Sequence, residues 1–276
     1  MNLLELRKWG REKLIPLGYE NDNDELLMYA TGLDKNAIIM KPNFLPNNAQ
    51  TEFFMKAVYN RRNHMPLQYI LGKWEFMSLE FEISPDVLIP RADTEVLVET
   101  ILAKEQRGAR GLEVGVGSGC ISISLMHYGD IDMVGVDICK KALVVANKNL
   151  GRLITTHPNK FVQSNLFENV PRGAKFDFIV SNPPYISSKE MLGLDESVKT
   201  FEPHKALHGG EDGLDFYRKI VAQAGEHLIS KGRIYFEIGY NQADDVKNIL
   251  QDGGFFDINI IKDFAGHNRV VHAIMG

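Results

Sequence analysis

Phe176-Asp177-Phe178-Ile179-Val180-Ser181-Asn182-Pro183-Pro184-Tyr185 joins an apolar run to a stiff polar turn. The run has the length and the β-branched and aromatic content of a buried strand, so the turn is expected at that strand's carboxyl end. Ligands of open α/β sheets bind there. Two successive prolines fix φ and remove two backbone donors, and the residue before a proline is biased away from helix. Asn182 offers an amide acceptor and an NH2 donor, while the carbonyls of Asn182 and Pro183 have no helix or ladder to join. With Pro184 and the flat ring of Tyr185 these groups suit a planar NH2-bearing group, accepting both of its hydrogens. The tetrad Asn182–Tyr185 holds no carboxylate, histidine or cysteine, so it suits positioning a nitrogen better than deprotonating it. Taken alone, the same stretch reads equally well as a tight turn after a strand.

Working outward, Leu112-Glu113-Val114 reads as a strand running into Gly115-Val116-Gly117-Ser118-Gly119, which opens a helix from Cys120 to Met126. The glycines permit a tight turn and a close ligand approach, and the helix start offers free N–H groups. A second strand, Ile131 to Val136, ends at Asp137, where a carboxylate can accept from both ribose hydroxyls. Strand, glycine loop, helix, strand and acid in that order point to an adenosine-containing cofactor. The spacing is GxGxG with Cys120 at the place of a third glycine, which favours S-adenosylmethionine over a dinucleotide. Asn165 and Leu166, after a third strand at Phe161-Val162, either face the adenine or pack as an ordinary loop.

Later segments continue the alternation. A helix near Leu214 to Leu228 leads to a strand at Arg233 to Ile238, and a helix from about Gln242 to Leu250 precedes strands at Phe255 to Ile261 and Arg269 to Met275. Too few residues separate those last two strands for a parallel crossover, so the last must run antiparallel to its neighbour. A parallel sheet closed by an antiparallel hairpin is the arrangement of S-adenosylmethionine-dependent methyltransferases.

Upstream, four short helices with polar starts at Asn21 to Asp24, Asp34 and Asn47 or Asn48 read as a small bundle. Pro66 to Gly72 breaks the helical pattern, Trp74 to Met77 and Leu79 to Ile83 alternate as a hairpin, and Asp93 or Thr94 should cap a following helix. The expected fold is α/β: a Rossmann-like methyltransferase sheet with a terminal antiparallel hairpin, preceded by a small all-helical domain. The expected domains are a helical substrate-recognition domain over 1–70, a β-hairpin linker over 71–90 and a methyltransferase domain over 91–276.

The 276 residues carry a net charge of -5, and Lys+Arg against Asp+Glu stand at 9 to 8 in residues 1–70 and 22 to 28 thereafter. Neither part is basic, which speaks against a nucleic-acid substrate. Cys120 and Cys139 are the two cysteines, with no CxxC pair, so free thiols and no metal site are expected. Early charges at Glu5, Arg7 and Lys8 do not suit a signal peptide, and no apolar run approaches a membrane span, so a cytoplasmic protein is expected. The charged Glu196 to Lys205 stretch reads as a solvated loop, and His64, His204 and His267 as surface or hydrogen-bonded residues.

The chain resembles the peptide-chain-release-factor glutamine N5-methyltransferases over almost its whole length. The resemblance is carried by Pro66 to Gly72, Leu88-Ile89-Pro90-Arg91 with Asp93-Thr94-Glu95, the glycine loop and Asn182 to Ile186. Further matches are Phe201-Glu202-Pro203, Gly209 to Tyr217, Glu237-Ile238-Gly239 with Gln242, and Asp263 to Arg269. It implies that the helical domain helps bind a release factor and that the tetrad holds the glutamine of its Gly-Gly-Gln motif. Asn182 and the Pro183 carbonyl would accept the glutamine NH2, with Pro184 and Tyr185 shaping the slot. Gly115, Val116, Gly117, Ser118 and Gly119, with Glu113, would hold the amino-acid part of S-adenosylmethionine, Asp137 its ribose, and Asn165 and Leu166 its adenine, with S-adenosylhomocysteine as product. Family members usually have Asp at the places of Glu113 and Asn165, and commonly Thr at Val116. A monomer acting on release factors is expected. The rival readings are a nucleic-acid adenine-N6 methyltransferase and a protein that only binds the cofactor.

Overall fold

The computed structural model describes residues 1–154 and 161–276. The chain divides into two compact units, residues 1–73 with 195–201 and residues 74–194 with 202–276. In the first, α1 (Leu3–Leu14), α2 (Asp22–Thr31), α3 (Lys35–Met40) and α4 (Asn48–Arg62) enclose a core that includes Leu6, Leu26, Leu27, Phe54 and Val58. Asn2, Asp34 and Asn47 each accept a backbone N–H of the first turn of α1, α3 and α4, satisfying donors that a helix start leaves open. Asn21 stands at the start of α2 without such a bond. Pro66 to Gly72, expected to break the helical pattern, instead holds the short helix α5 (Leu67–Leu71). Pro66 precedes its first turn, where a missing N–H is harmless, and Gly72 ends it at φ 69°.

The second unit takes up the hairpin of β1 (Lys73–Phe76) and β2 (Leu79–Glu82), then α6 (Glu95–Lys104). Neither Asp93 nor Thr94 caps α6: a 3-10 turn over Ala92–Thr94 runs directly into it, and both side chains turn elsewhere. The sheet elements follow as β3 (Arg110–Val114), α7 (Cys120–Gly129), β4 (Asp132–Asp137), α8 (Lys140–Leu153), β5 (Phe161–Gln163) and β6 (Phe176–Ser181). After α9 (Ser188–Met191) and α10 (Glu196–Phe201) come α11 (Asp215–Ala224), β7 (Leu228–Glu237), α12 (Ala243–Asp252), β8 (Phe255–Lys262) and β9 (Asn268–Met275). Their spatial order is β5-β4-β3-β6-β7-β9-β8. The first five in that order are parallel, and β9 is antiparallel to both β7 and β8, as the short final connection requires.

Helices α6, α7 and α8 cover one face through Leu97, Ile123 and Ala146, and α11 and α12 cover the other through Tyr217, Ile220 and Val246. A strand between two such layers has no solvent face, which is why β6 reads as a nearly continuous apolar run. β7 begins at Leu228, earlier than the apolar pattern from Arg233 suggests. The Phe176 N–H reaches the His227 carbonyl at 2.9 Å before the exposed residues Ile229 to Lys231 interrupt the pattern. The Glu196 to Lys205 stretch is not a loop throughout. It contains α10, which belongs to the helical unit, followed by the buried Glu202 and a 3-10 turn over His204–Ala206. Among the described residues no helix is long and apolar enough to cross a membrane.

Chain order reverses between β3 and β6: the chain runs outward from β3 to β5, then returns to place β6 on the other side of β3. The loops after those two strands therefore lie side by side. Close packing supports the junction, since a Cβ on Gly111 would stand 2.3 Å from the Phe178 ring and 2.5 Å from Met133 Sδ. Gly111→Ala is expected to lower stability by about 1–3 kcal/mol in urea denaturation, and an unchanged midpoint would show that the core gives way freely.

Candidate active site

The loop after β3 folds over the end of β4, with the N–H groups of Gly115 and Val116 both directed at the Val136 carbonyl (2.8 and 3.2 Å). Gly115, Gly117 and Gly119 take φ of 85°, 56° and 84°, a region strained for residues with a side chain. At Gly115 and Gly117 no atom stands within 4 Å of the place a Cβ would occupy, so bare backbone faces open space. Asp137 locks this shape: its Oδ2 accepts from Gly117 N–H at 2.9 Å and its Oδ1 from Cys139 N–H at 2.8 Å. Beneath the loop Glu113 is buried, with Oε2 accepting from the Ser122 N–H at 3.0 Å and from the Ser122 hydroxyl. Burial lifts the Glu113 carboxyl to about 8, against the pull of the two Ser122 bonds, and the charge of Asp137 adds to the rise.

The turn after β6 is tied down on every side. Ser181 Oγ donates to the Val114 carbonyl at 2.6 Å, joining the two strand ends. Asn182 Nδ2 donates to Thr94 Oγ1 at 3.3 Å, and the Tyr185 hydroxyl donates to Glu237 Oε1 at 3.4 Å. The buried Gln242 donates from Nε2 to the Tyr185 carbonyl at 3.0 Å while its Oε1 accepts from Gly239 N–H at 3.0 Å. Gly209 and Gly213 lie so near that a Cβ would come within 2.6 Å of the Pro184 carbonyl oxygen and 2.3 Å of the Tyr185 carbonyl oxygen. Arg269 pairs with Asp93 and Asp263 at 3.1 Å each and reaches the Ile238 carbonyl at 3.5 Å, bracing the end of β7.

Both loops open on one cavity of about 590 Å³. That volume lies within the roughly 300–1,000 Å³ of ordinary small-molecule sites. Glu113, Gly115, Val116, Gly117, Ser118, Asp137, Asn165, Leu166, Asn182, Pro183 and Pro184 all line it. Two expected site residues do not. Gly119 sits behind the loop as the left-handed residue before α7, and Tyr185 packs against the core of the β7 side with its hydroxyl turned to Glu237. Tyr185 is therefore no wall of this cavity. The cavity suits S-adenosylmethionine in its donor set: bare loop backbone for a charged amino-acid end, the Asp137 carboxylate for ribose hydroxyls, and the exposed Asn165 with Leu166 for a flat base.

Comparison with known proteins gives the same assignment. The Methyltransferase small domain family matches residues 91–196, and the PrmC N-terminal domain family matches residues 5–72. The release factor glutamine methyltransferase of Clostridium acetobutylicum is 39% identical over 263 residues, covering 94% of this chain and 92% of that protein. This chain belongs to the release factor glutamine methyltransferase family. The same-named protein of Fusobacterium nucleatum is 46% identical over 221 residues, 78% of this chain, and the match spans 62% of that protein's length. A crystal structure of a methyltransferase from Pyrococcus furiosus, 19% identical, covers 73% of this chain and 91% of that one with a TM-score of 0.56, a likeness of fold. S-adenosylmethionine is the cofactor of the family fold.

Sequence reasoning missed the residues that hold the tetrad. Thr94 reads as a helix cap and Glu237, Gln242, Gly209 and Gly213 read only as parts of matching blocks, because their partners lie far away in sequence. The buried Glu113 has a consequence for stability. A carboxyl that holds its proton more tightly when folded favours folding fully below its ordinary 4.5, and loses that contribution as pH rises through about 8. Wild-type protein should therefore lose more melting temperature between about pH 5 and about pH 9 than Glu113→Gln does, and parallel curves would contradict the buried carboxyl.

Proposed function

We propose that this chain transfers a methyl group to the side-chain amide nitrogen of the glutamine in the Gly-Gly-Gln motif of peptide chain release factors. The observation that carries the reading is the placing of the Asn182–Pro184 turn and the Gly115–Ser118 loop on one cavity. The Clostridium relative is named for methylating release factors, and its likeness extends over 94% of this chain. S-adenosylmethionine bound there supplies an electrophilic methyl group and leaves as S-adenosylhomocysteine. Loop backbone from Gly115 to Ser118 would hold its amino-acid part, Asp137 its ribose, and Asn165 with Leu166 its adenine.

An amide nitrogen is a poor nucleophile because its lone pair is delocalised into the carbonyl. Asn182 Oδ1 and the Pro183 carbonyl would accept its two hydrogens, localising the lone pair and aiming it into the cavity. Holding the nitrogen in line can be worth about 7–11 kcal/mol, so no strong base has to act before transfer, and the proton leaves the methylated nitrogen afterwards. Burial pushes the Cys120 thiol in the cavity wall up to about 12, so it stays protonated and is no covalent relay at neutral pH. Tyr185, held by Glu237 and Gln242, would shape the slot from behind the turn.

We assign release-factor binding to the helical domain, over 1–70 as read from sequence, because Leu4, Met40, Leu45 and Tyr59 leave large apolar groups exposed there. Residues 71–90 would link it to the methyltransferase domain of 91–276. The reading places the protein in the cytoplasm as a monomer acting in translation termination, and a net charge of -5 suits a protein substrate better than a nucleic acid.

Purified protein should pass labelled methyl from S-adenosylmethionine to a release factor, and pass none to the same factor with its Gly-Gly-Gln glutamine replaced. Label in DNA or RNA instead would overturn the reading. Asn182→Ala should lower kcat by about a hundredfold or more while cofactor affinity in calorimetry stays near wild type.

A further inference from the structure

We propose that His208 takes up, on its Nδ1, the proton that leaves the acceptor nitrogen during methyl transfer, which makes it the base of the reaction. The inference rests on the proposed seating of the acceptor amide at Asn182. The amide nitrogen forms a bond to the methyl carbon while the carbon–sulfur pair stays on sulfur. The nitrogen then holds both of its hydrogens and a positive charge, and one N–H bond must break to leave a neutral amide. Asn182 Oδ1 and the Pro183 carbonyl can accept hydrogen bonds from those hydrogens, but amide oxygens do not keep a proton at neutral pH. The tetrad contains no carboxylate or imidazole that could.

His208 is fixed beside the tetrad by backbone hydrogen bonds. Ile186, the residue after Tyr185, donates its N–H to the Leu207 carbonyl and accepts from the Gly209 N–H, both at 2.9 Å. His208 lies between those two residues and pairs with Ile186 in a parallel bridge. Segments paired in this way run only about 4.8 Å apart. On its other side Gly209 packs so tightly that a Cβ there would stand 2.6 Å from the Pro184 carbonyl oxygen. His208 itself is half-buried and lines the same cavity as Asn182, Pro183 and Pro184. A general base works across a direct hydrogen bond or one intervening water, and a shared cavity has room for either.

Ser188 decides which ring nitrogen is the base. Its Oγ lies 2.9 Å from His208 Nε2 and 3.3 Å from the Gly210 carbonyl oxygen. A serine hydroxyl has one proton to give, and a carbonyl only accepts. Given to Nε2, that proton would leave two oxygens facing each other with none between them. Given to Gly210, it leaves Oγ free to accept from an Nε2–H, and both contacts are satisfied. The second arrangement puts the ring proton on Nε2 and the lone pair on Nδ1, which has no hydrogen-bond partner among the described residues. After proton uptake Nε2–H stays on Ser188, and the Nδ1 proton returns to solvent when the product leaves. The carboxylates of the cavity are held elsewhere: Asp137 takes two backbone N–H groups, Glu113 takes Ser122, and Asp86 pairs with Lys141 at 3.4 Å. His204, the other imidazole lining the cavity, is exposed, with its ring 5.5 Å from that of His208.

The test measures single-turnover methyl transfer to a release factor at saturating cofactor for wild type, His208→Gln, His208→Ala and His204→Gln, with cofactor affinity by calorimetry as the check on folding. His208→Gln keeps a polar group that can reach Ser188 but has no basic nitrogen, so it should lose about a hundredfold in rate with cofactor affinity kept. His208→Ala should be equally slow and should be rescued by added imidazole in proportion to its neutral form, which a merely structural histidine would not show. A wild-type rate in His208→Gln, a loss in His204→Gln in its place, or no response of folded His208→Ala to imidazole would overturn the proposal. Asn182→Ala run alongside separates the two readings: full activity there overturns the seating of the amide, while loss there with none in His208→Gln overturns only the base. Independently of turnover, nitrogen resonances of the neutral His208 ring should place its proton on Nε2, and a proton on Nδ1 would also overturn the assignment.

Discussion

The Ser181 hydroxyl donates to the Val114 carbonyl at 2.6 Å, both buried, and through that contact the last residues of β6 and β3 are held in step. The two loops that face each other across the cavity lie just beyond those two residues. The glycine loop leaves β3 directly after Val114, and the Asn182 turn leaves β6 directly after Ser181. Parallel neighbours at the point where strand order reverses must send their following loops to the same edge, so a cofactor cradle and an amide cradle meet without either loop being long. A buried hydroxyl that lost its acceptor would also be left unsatisfied, which penalises any slippage between the strands.

From that junction outward, the two loops are stiffened by different means. The glycine loop is shaped by backbone freedom at three glycines and then locked by one carboxylate, since Asp137 takes N–H groups from both Gly117 and Cys139. A ribose directed at Asp137 would meet a group already fixed in place, which removes an ordering cost from binding. The Asn182 turn is stiff by composition, with two prolines, and is then held from behind by Gln242, Glu237 and the close approach of Gly209 and Gly213. Such support favours an aligned amide over a mobile one, which is what a reaction relying on orientation requires.

The parts of this architecture that depend on neighbours in the chain were legible in the sequence. Alternating strands and helices, the glycine spacing, the acid at the end of β4 and the short final connection each carry their meaning within a few residues. What was not legible depends on contacts between distant segments. Thr94 and Asn182 are 88 residues apart, and Tyr185 and Glu237 are 52 apart. Thr94 has the composition of a helix cap and gives its hydroxyl to the site instead, and Tyr185, read as a cavity wall, turns away to a carboxyl that periodicity places simply at the end of a strand. Charge misled in one place, where the charged stretch Glu196 to Lys205 holds a helix and the buried Glu202, whose charge is met by Arg91.

The central claim is that the acceptor amide is held by the Asn182 turn directly beside the glycine loop. The most direct measurement is a crystal structure of the protein with S-adenosylhomocysteine and a release factor carrying its Gly-Gly-Gln motif. The account predicts the glutamine amide nitrogen within hydrogen-bond distance of Asn182 Oδ1 and the Pro183 carbonyl, facing the cofactor sulfur across the shared cavity. A glutamine seated away from Asn182, or an Asn182 that presents Nδ2 to it, would contradict the account.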